Sequence, residues 1–307
     1  MSNFAIVFPG QGSQAVGMLA ELAEQHSVVT ETFAEASEVL GYDLWALVQN
    51  GPTEDLNQTQ RTQPALLAAS VAIWRVWQQQ GGAMPSVMAG HSLGEYSALV
   101  CAGVIDFKAA IQLVELRGQL MQQAVPAGVG AMSAIIGLEN DVIAKACEEA
   151  AQGQVVSPVN FNSPGQVVIA GNAEAVARAN ELCKEAGAKR ALPLPVSVPS
   201  HCALMKPAAD ELAKALENIE FNAPQVAVIN NVDVAAETAP AAIKDALVRQ
   251  LYGPVRWTEV VEKMAAQGVE NLIEMGPGKV LSGLTKRIDR NLASTSVNDV
   301  ASLEAAK

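Results

Sequence analysis

The chain has 307 residues, of which half are hydrophobic and 17% are charged. This balance excludes an intrinsically disordered chain, and the length allows one large domain or two unequal ones. The 20 Lys and Arg residues against 32 Asp and Glu give a formal net charge of −12. Nucleic acid binding is therefore not expected as the main function, because binding a phosphate backbone requires a basic surface.

The sequence carries no strong targeting or metal-binding signal. Its apolar start has no basic residues before it and is cut short by Pro9-Gly10, so we expect no signal peptide. No apolar run reaches the roughly 18 residues of a membrane span. The four cysteines lack C-x-x-C spacing and the three histidines lack an i, i+4 pair, which predicts neither disulfides nor a histidine metal site. We therefore expect a reduced, cytoplasmic protein without a metal, although a site made only of carboxylates stays open.

The predicted elements alternate between strands and helices. Phe4–Phe8 is predicted as a buried first strand, and the strand predicted at 85–89 runs directly into Gly90-His91-Ser92-Leu93-Gly94. The other elements predicted outside the middle of the chain are helices at 31–40, 63–80, 95–102, 107–123, 203–216, 241–251, 257–266 and 278–287, strands at 225–229 and 271–275, and a polar tail at 292–307.

The middle of the chain, residues 126–197, has shorter elements in the order β-α-β-β-α-β. They are a strand at 132–136, a helix at 141–151, strands at 155–160 and 166–170, a helix at 173–186 and a strand at 188–192. This order is typical of ferredoxin-like domains. We predict a small inserted domain at 126–197, with proline-rich borders, inside a larger domain formed by 1–125 and 198–307.

The pentapeptide Gly90-His91-Ser92-Leu93-Gly94 fits a nucleophile elbow, in which glycines flank a serine on a sharp strand-to-helix turn. A serine nucleophile needs a base, and His201 is the better candidate because it follows a non-helical, proline-rich stretch. His91 adjoins the serine but should point elsewhere on the turn. The alternative interpretations are a plain glycine-rich turn and a core or surface histidine.

Three further segments have more than one interpretation. The segment 8–15 matches a dinucleotide fingerprint, which would indicate an oxidoreductase, or forms a loop that presents Gln11 as an oxyanion donor beside the elbow. Arg117 lies on an apolar helix and is either a surface cation or a residue that binds a carboxylate through two hydrogen bonds. Gly276-Pro277-Gly278-Lys279 lacks the full phosphate-loop frame, so we predict a strand-to-helix turn there.

Taken in order, six segments resemble those of the malonyl-CoA:acyl carrier protein transacylases, in particular the stand-alone bacterial enzymes of fatty-acid synthesis. The likeness covers essentially the whole chain and implies an α/β-hydrolase-like core with a parallel sheet plus an inserted ferredoxin-like domain. The segments are Phe8-Pro9-Gly10-Gln11-Gly12-Ser13-Gln14, Thr62-Gln63-Pro64-Ala65, Gly90-His91-Ser92-Leu93-Gly94-Glu95-Tyr96, Arg117, Pro199-Ser200-His201 and Glu274-Met275-Gly276-Pro277-Gly278.

The resemblance implies a ping-pong transfer of malonyl from malonyl-CoA to the phosphopantetheine thiol of acyl carrier protein, without a cofactor of the enzyme's own. The roles that it implies are nucleophile for Ser92, general base for His201, oxyanion-hole amides for Gln11 and Leu93, a carbonyl that orients the histidine for Gln250, and substrate binding for Arg117 and Gln63.

Carrier proteins are strongly acidic, so an acidic enzyme needs a local basic rim to bind one. Candidates for this rim are Lys189, Arg190, Lys286 and Arg287, although a solvated helix face is an equal alternative. We expect a monomer that binds neither nucleic acid nor membranes.

The main competing function is a serine thioesterase or esterase on the same fold, in which Asp106 or Asp141 completes a triad with Ser92 and His201. A dinucleotide-binding oxidoreductase and a non-catalytic carrier-binding module are the remaining alternatives.

Overall fold

The computed structural model describes residues 2–196 and 198–307. Met1 and Ser197, which begin the predicted larger domain and end the predicted insertion, lie outside the described residues. The strands are β1 (Phe4–Phe8), β2 (Val87–Gly90), β3 (Gly130–Ile136), β4 (Val156–Ser163), β5 (Gln166–Asn172), β6 (Arg190–Pro193), β7 (Ala227–Ile229), β8 (Asn271–Met275) and β9 (Ala293–Val297).

The helices surround two separate sheets, and one short 3-10 turn, Ala203–Met205, precedes α10. They are α1 (Ala20–Gln25), α2 (Ser27–Leu40), α3 (Leu44–Asn50), α4 (Thr53–Leu56), α5 (Thr59–Gln79), α6 (Gly94–Cys101), α7 (Phe107–Ala124), α8 (Asn140–Ala151), α9 (Ala173–Glu185), α10 (Lys206–Leu216), α11 (Pro240–Tyr252), α12 (Trp257–Ala266), α13 (Val280–Ile288) and α14 (Val300–Ala306).

The larger sheet is parallel throughout and has the strand order β7-β2-β1-β8-β9. Both of its faces are covered, which explains why β1 reads as a continuous apolar run. Ile6 and Phe8 point into a core built mainly with α2, α5 and α7, whereas Ala5 and Val7 point into the opposite core with α12 and α13. The protein is therefore an α/β protein with helices on both sides of a parallel sheet.

The smaller sheet is antiparallel, with the order β4-β5-β3-β6. Along the chain its elements follow one another as β3, α8, β4, β5, α9 and β6. Helices α8 and α9 pack on one face, while the other face packs on Cys202, next to His201. Backbone hydrogen bonds from Val255 to Val159 and from Phe161 to Val255 join β4 to the segment before α12. The smaller sheet thus covers one side of the histidine loop.

The parallel register brings four loops to one edge of the larger sheet. Phe8 pairs with Gly90, Ala89 with Ile229 and Val7 with Glu274. Because the carboxyl ends of parallel strands meet at the same edge, the loops after β1, β2, β7 and β8 lie side by side there. This is the edge at which ligands bind in open α/β sheets.

Most of the predicted elements are confirmed, but the expected polar tail at 292–307 is wrong. Residues 293–297 form β9, which pairs in parallel with β8, and α14 buries Leu303 completely. The sequence hid this edge strand because most of its side chains are small and hydroxylated, so only Val297 gives an apolar signal. The short helices α1, α3 and α4 were also missed, since fewer than eight residues give little periodicity.

No helix in residues 2–196 and 198–307 is long and apolar enough to cross a membrane. Within the same ranges, His, Cys, Asp and Glu side chains form no group of three or more that could hold a metal ion. The four cysteines are free and buried.

Candidate active site

The turn from β2 to α6 holds Ser92 in a left-handed backbone conformation, with φ of 53°. The two flanking residues must be glycines, because there is no room for a side chain at either position. A Cβ on Gly90 would collide with the backbone of Gly94, and a Cβ on Gly94 would collide with the carbonyl oxygen of Phe8. The predicted elbow is thus confirmed as a turn packed directly against the end of β1.

The loop after β1 lies on this elbow. A Cβ on Gly10 would come within 2.5 Å of the His91 carbonyl oxygen and 3.6 Å of the Ser92 Cβ. The Gln11 side chain turns to α5, where its amide donates to the Thr59 hydroxyl at 3.2 Å. The backbone amides of Gln11 and Leu93 donate to no group among the described residues, which leaves both free for an oxyanion.

The dinucleotide interpretation of this loop does not fit the fold. The segment around 31–38 lies in α2, and the next parallel strand begins only at Val87. The glycines of the loop therefore approach the elbow instead of starting the helix that a dinucleotide fingerprint requires.

His201 completes the pair with Ser92. Its Nε2 lies 2.7 Å from the Ser92 Oγ, and its Nδ1 lies 2.7 Å from the carbonyl oxygen of Gln250. Because a carbonyl oxygen only accepts, Nδ1 carries the proton of the neutral ring and Nε2 is left to accept from the serine hydroxyl. Burial, together with the positive charge of Arg117, lowers the pKa of His201 to about 3. The imidazole is thus neutral at physiological pH, and the lone pair of its Nε2 faces the Ser92 hydroxyl.

The two aspartates considered for a triad lie elsewhere. Asp106 accepts from the Ala109 amide at the start of α7. Asp141 is exposed in the first turn of α8. The histidine is held by a main-chain carbonyl in the place where a hydrolase triad has a carboxylate.

Arg117 is buried, with 1% of its surface exposed. One of its terminal nitrogens donates to the Gln63 side chain at 2.8 Å and the other to the Gln250 side chain at 3.1 Å. Its guanidinium carbon lies 5.3 Å from the centre of the Tyr96 ring. Within the part of the chain that the structure describes, it forms no ion pair and its Nε has no partner.

The interpretation of Arg117 as a surface cation is therefore wrong. Burial lowers the pKa of its guanidinium from the ordinary value. Two of the five N–H groups of an arginine are used by the glutamines, which leaves three for a carboxylate. A buried cation with donors to spare favours an anionic ligand.

Two residues at the elbow were missed by the sequence analysis. Asn231 follows β7; its side-chain oxygen accepts from the Ser92 amide at 2.8 Å, and its side-chain nitrogen donates to the Gly90 carbonyl at 2.7 Å. Glu95, in the first turn of α6, is 2% exposed and accepts from the Asn231 amide and the Gln250 side chain. The only sequence signals were the asparagine at a strand end and the glutamate three residues after the serine.

Burial is the main cause of the pKa shifts of Glu95 and His91. Burial raises the pKa of Glu95 to about 8, although the Asn231 amide and Arg117 act in the opposite direction. Burial also lowers the pKa of His91, whose Nε2 lies 2.7 Å from the side-chain oxygen of Asn162 on β4. His91 thus contacts the smaller sheet, and His201 is the histidine that contacts Ser92.

The four candidate docking residues are exposed at two places. Lys189 directly precedes β6, Arg190 begins it, and Lys286 and Arg287 lie in the last turn of α13. None of them forms an ion pair among the described residues. Lys286 also lines a groove of about 490 Å³ together with Lys279 and hydroxyl side chains of α13 and β9.

Comparison with known proteins gives the class of the protein. Residues 5–304 match the acyl transferase domain family, so the protein is an acyltransferase. The malonyl CoA-acyl carrier protein transacylases of Salmonella typhimurium and Escherichia coli K12 are 72% and 71% identical to it, over 100% of this chain and 99% of each relative. The chain therefore belongs to the malonyl CoA-acyl carrier protein transacylase family.

Solved structures agree with this assignment. An acyl carrier protein S-malonyltransferase from Vibrio cholerae is 81% identical, covers 100% of both chains and has a TM-score of 0.98. A malonyl-transacylase in complex with its type II PKS acyl-carrier protein is 72% identical, with 99% of both chains covered and a TM-score of 0.99.

The close approach of the elbow to β1 predicts that Gly94→Ala destabilises the protein. The added methyl group must displace the Phe8 backbone, so we expect the free energy of unfolding to fall by about 1–3 kcal/mol or more in urea denaturation. Gly283→Ala is the matched control, because its Cβ would meet nothing within 4 Å inside α13. That control should gain about 0.5–1 kcal/mol. Equal stability of Gly94→Ala and the wild type would contradict the packing argument.

Proposed function

We propose that the protein transfers the malonyl group of malonyl-CoA to the phosphopantetheine thiol of an acyl carrier protein, through a malonyl-Ser92 intermediate, in fatty-acid biosynthesis. The main support for this proposal is that one residue, Gln250, forms hydrogen bonds with both His201 and Arg117. Gln250 accepts from His201 through its main-chain oxygen and from Arg117 through its side-chain oxygen. The base and the cation for a carboxylate are thereby fixed relative to each other.

The first half-reaction acylates the serine. His201 Nε2 takes the proton of the Ser92 hydroxyl as Oγ attacks the thioester carbonyl, and the amides of Gln11 and Leu93 receive the negative charge on the carbonyl oxygen. The carbon–sulfur bond then breaks, and the CoA thiolate takes the proton from His201. Each amide of such an oxyanion hole contributes about 3 kcal/mol to transition-state stabilisation.

The second half-reaction repeats these steps in reverse with another thiol. The phosphopantetheine thiol gives its proton to His201 and attacks the malonyl ester. The ester bond to Ser92 breaks, and the serine oxygen regains its proton from the imidazolium. The Gln250 carbonyl keeps the ring in the same orientation in both directions, because it binds only a protonated Nδ1.

Arg117 and Gln63 select the acyl group in this proposal. The malonyl carboxylate pairs with the buried guanidinium, whereas an acetyl group leaves it unpaired. An unpaired buried charge costs on the order of 1–3 kcal/mol or more, so malonyl is favoured over acetyl.

The finer description of the fold also belongs to this proposal. We interpret 1–125 with 198–307 as an α/β-hydrolase-like domain and 126–197 as a ferredoxin-like insertion, supported by the sheet order β6-β3-β5-β4 in the smaller sheet. The protein is proposed to act in the cytoplasm as a monomer, with malonyl-CoA and acyl carrier protein as its partners and no cofactor or metal of its own.

Intact-mass measurement after brief mixing with malonyl-CoA tests the function. We expect a malonyl adduct that requires Ser92, is absent in Ser92→Ala, and moves to phosphopantetheinylated carrier protein when this is added. Release of free malonate and CoA, with neither adduct nor transfer, would instead identify a thioesterase.

Arg117→Ala tests the selection step. We expect malonyl transfer to fall and acetyl transfer to rise in relative terms, because the variant removes the partner of the carboxylate together with the penalty that acetyl suffers. The measurement is the ratio of kcat/KM for malonyl-CoA to that for acetyl-CoA. An unchanged ratio would exclude Arg117 as the carboxylate-binding residue.

The basic rim is tested by Lys286→Glu and Arg287→Glu, singly and together. Both side chains are exposed in one turn of α13, so we expect a higher KM for the acidic carrier protein and unchanged acylation by malonyl-CoA. Lys145→Glu, an equal charge reversal at an exposed position of α8, is the control for the single variants. If both half-reactions fall together, the two residues do not act in docking. Reversal of Lys189 and Arg190 tests the second part of the rim in the same way.

A further inference from the structure

The side-chain amide of Gln250 lies between a buried carboxyl group and the buried arginine. Its Oε1 accepts from Arg117 at 3.1 Å, and its Nε2 donates to Glu95 at 2.8 Å. The same nitrogen lies 3.0 Å from the Ser92 carbonyl oxygen and 3.2 Å from the Asn231 side-chain oxygen. Three acceptors surround the nitrogen and one donor faces the oxygen, so only one orientation of the amide places its two N–H groups against acceptors and its oxygen against a donor.

Glu95 makes the shortest of the three contacts to the Gln250 nitrogen. We propose that Glu95 is a positioning residue for acyl-group selection: it fixes the Gln250 amide so that the amide oxygen faces Arg117 and holds the guanidinium in place for the malonyl carboxylate. This inference rests on the proposed function, since it assigns Glu95 to the same selection step.

The geometry separates Glu95 from Arg117 by one amide. A direct ion pair would use N–H groups that the substrate carboxylate needs. The structure instead joins them through Gln250, and among the described residues Glu95 and Arg117 form no ion pair. The arginine is thereby oriented while most of its donors stay available to a ligand.

The second oxygen of Glu95 extends this support to the nucleophile. It accepts from the Asn231 amide at 2.9 Å, and the Asn231 side chain holds the Ser92 amide. An isosteric amide in place of Glu95 has one oxygen and one NH2 group. Its oxygen keeps the Asn231 contact, so its NH2 group then faces the NH2 group of Gln250, donor against donor.

Any change that separates these two NH2 groups also affects the contact between Gln250 and Arg117. If the Gln250 amide rotates, its NH2 group faces the N–H of Arg117, again donor against donor. If it stays, the Gln250 nitrogen has lost its best acceptor. Rotation breaks the contact to Arg117, and without rotation the amide is held only by the Ser92 and Asn231 oxygens, so Arg117 is held less firmly in both cases. The contact between His201 and the Gln250 main-chain oxygen is kept.

Glu95→Gln is therefore the test, with kcat and KM measured for malonyl-CoA and acetyl-CoA. We expect KM for malonyl-CoA to rise and the malonyl-to-acetyl ratio of kcat/KM to fall on the order of tenfold, the effect of one weakened hydrogen bond to a charged group. For acetyl-CoA, kcat/KM should fall less than for malonyl-CoA, because acetyl does not use Arg117 and the serine, the histidine and the oxyanion amides are kept. If Glu95 only stabilised the fold, the substitution would lower kcat/KM equally for malonyl-CoA and acetyl-CoA.

Glu274→Gln is the matched control. Glu274 is also fully buried and accepts from backbone amides, those of Leu281 and Ser282 at the start of α13. The substitution should lower stability without changing the malonyl-to-acetyl ratio. A second comparison places Glu95→Gln in the Arg117→Ala background, where it should leave the ratio unchanged if Glu95 acts through the arginine.

The outcomes separate the inference from the proposed function. If the wild-type protein does not transfer malonyl, the proposed function itself is wrong. Wild-type transfer with an unchanged ratio in Glu95→Gln, or an equal fall for both substrates, would overturn only the role of Glu95. If Glu95→Gln does not fold, Glu95→Asp withdraws the same acceptor by one methylene and keeps the carboxyl group, and the same shift in the ratio is expected.

Discussion

The closeness of the elbow to the end of β1 is the constraint on which the rest of the site depends. Helix α6 can start against the Phe8 carbonyl oxygen only because residue 94 has no side chain, and Gly10 meets the same turn from the other strand. This contact aligns the amides of Gln11 and Leu93 beside one serine. It also forces Ser92 into a left-handed conformation, whose cost of about 1–3 kcal/mol the surrounding packing must offset.

Gln250 then joins the two parts of the site that contain His201 and Arg117. Its main-chain oxygen accepts from His201 and its side-chain oxygen from the buried arginine, while Glu95 and Asn231 connect it to the elbow. In a buried polar network each member polarises and restrains the others. Burial, followed by the positive charge of Arg117, lowers the pKa of His201, and the Gln250 carbonyl opposes these effects without the full negative charge of a triad carboxylate.

The sequence was sufficient for the parts of the site that depend on local chain geometry. The glycines around Ser92, the strand before them and the apolar helix that carries Arg117 are all visible as short-range patterns. Asn231 and Glu95 were missed because their partners lie more than a hundred residues away, and only the sheet register brings them together. The strand β9 was missed for a related reason: it is held by pairing with β8 more than by its own composition.

The position of β1 in the sheet has a consequence for folding. This strand precedes β2 in the chain, yet its other neighbour, β8, follows much later, where Asn271 pairs with Phe4. Until β8 has paired, β1 presents an unpaired, wholly apolar strand edge, the kind of surface that aggregates or recruits chaperones. Closure of the larger sheet thus depends on a contact between strands far apart in sequence, and contacts of this kind slow folding.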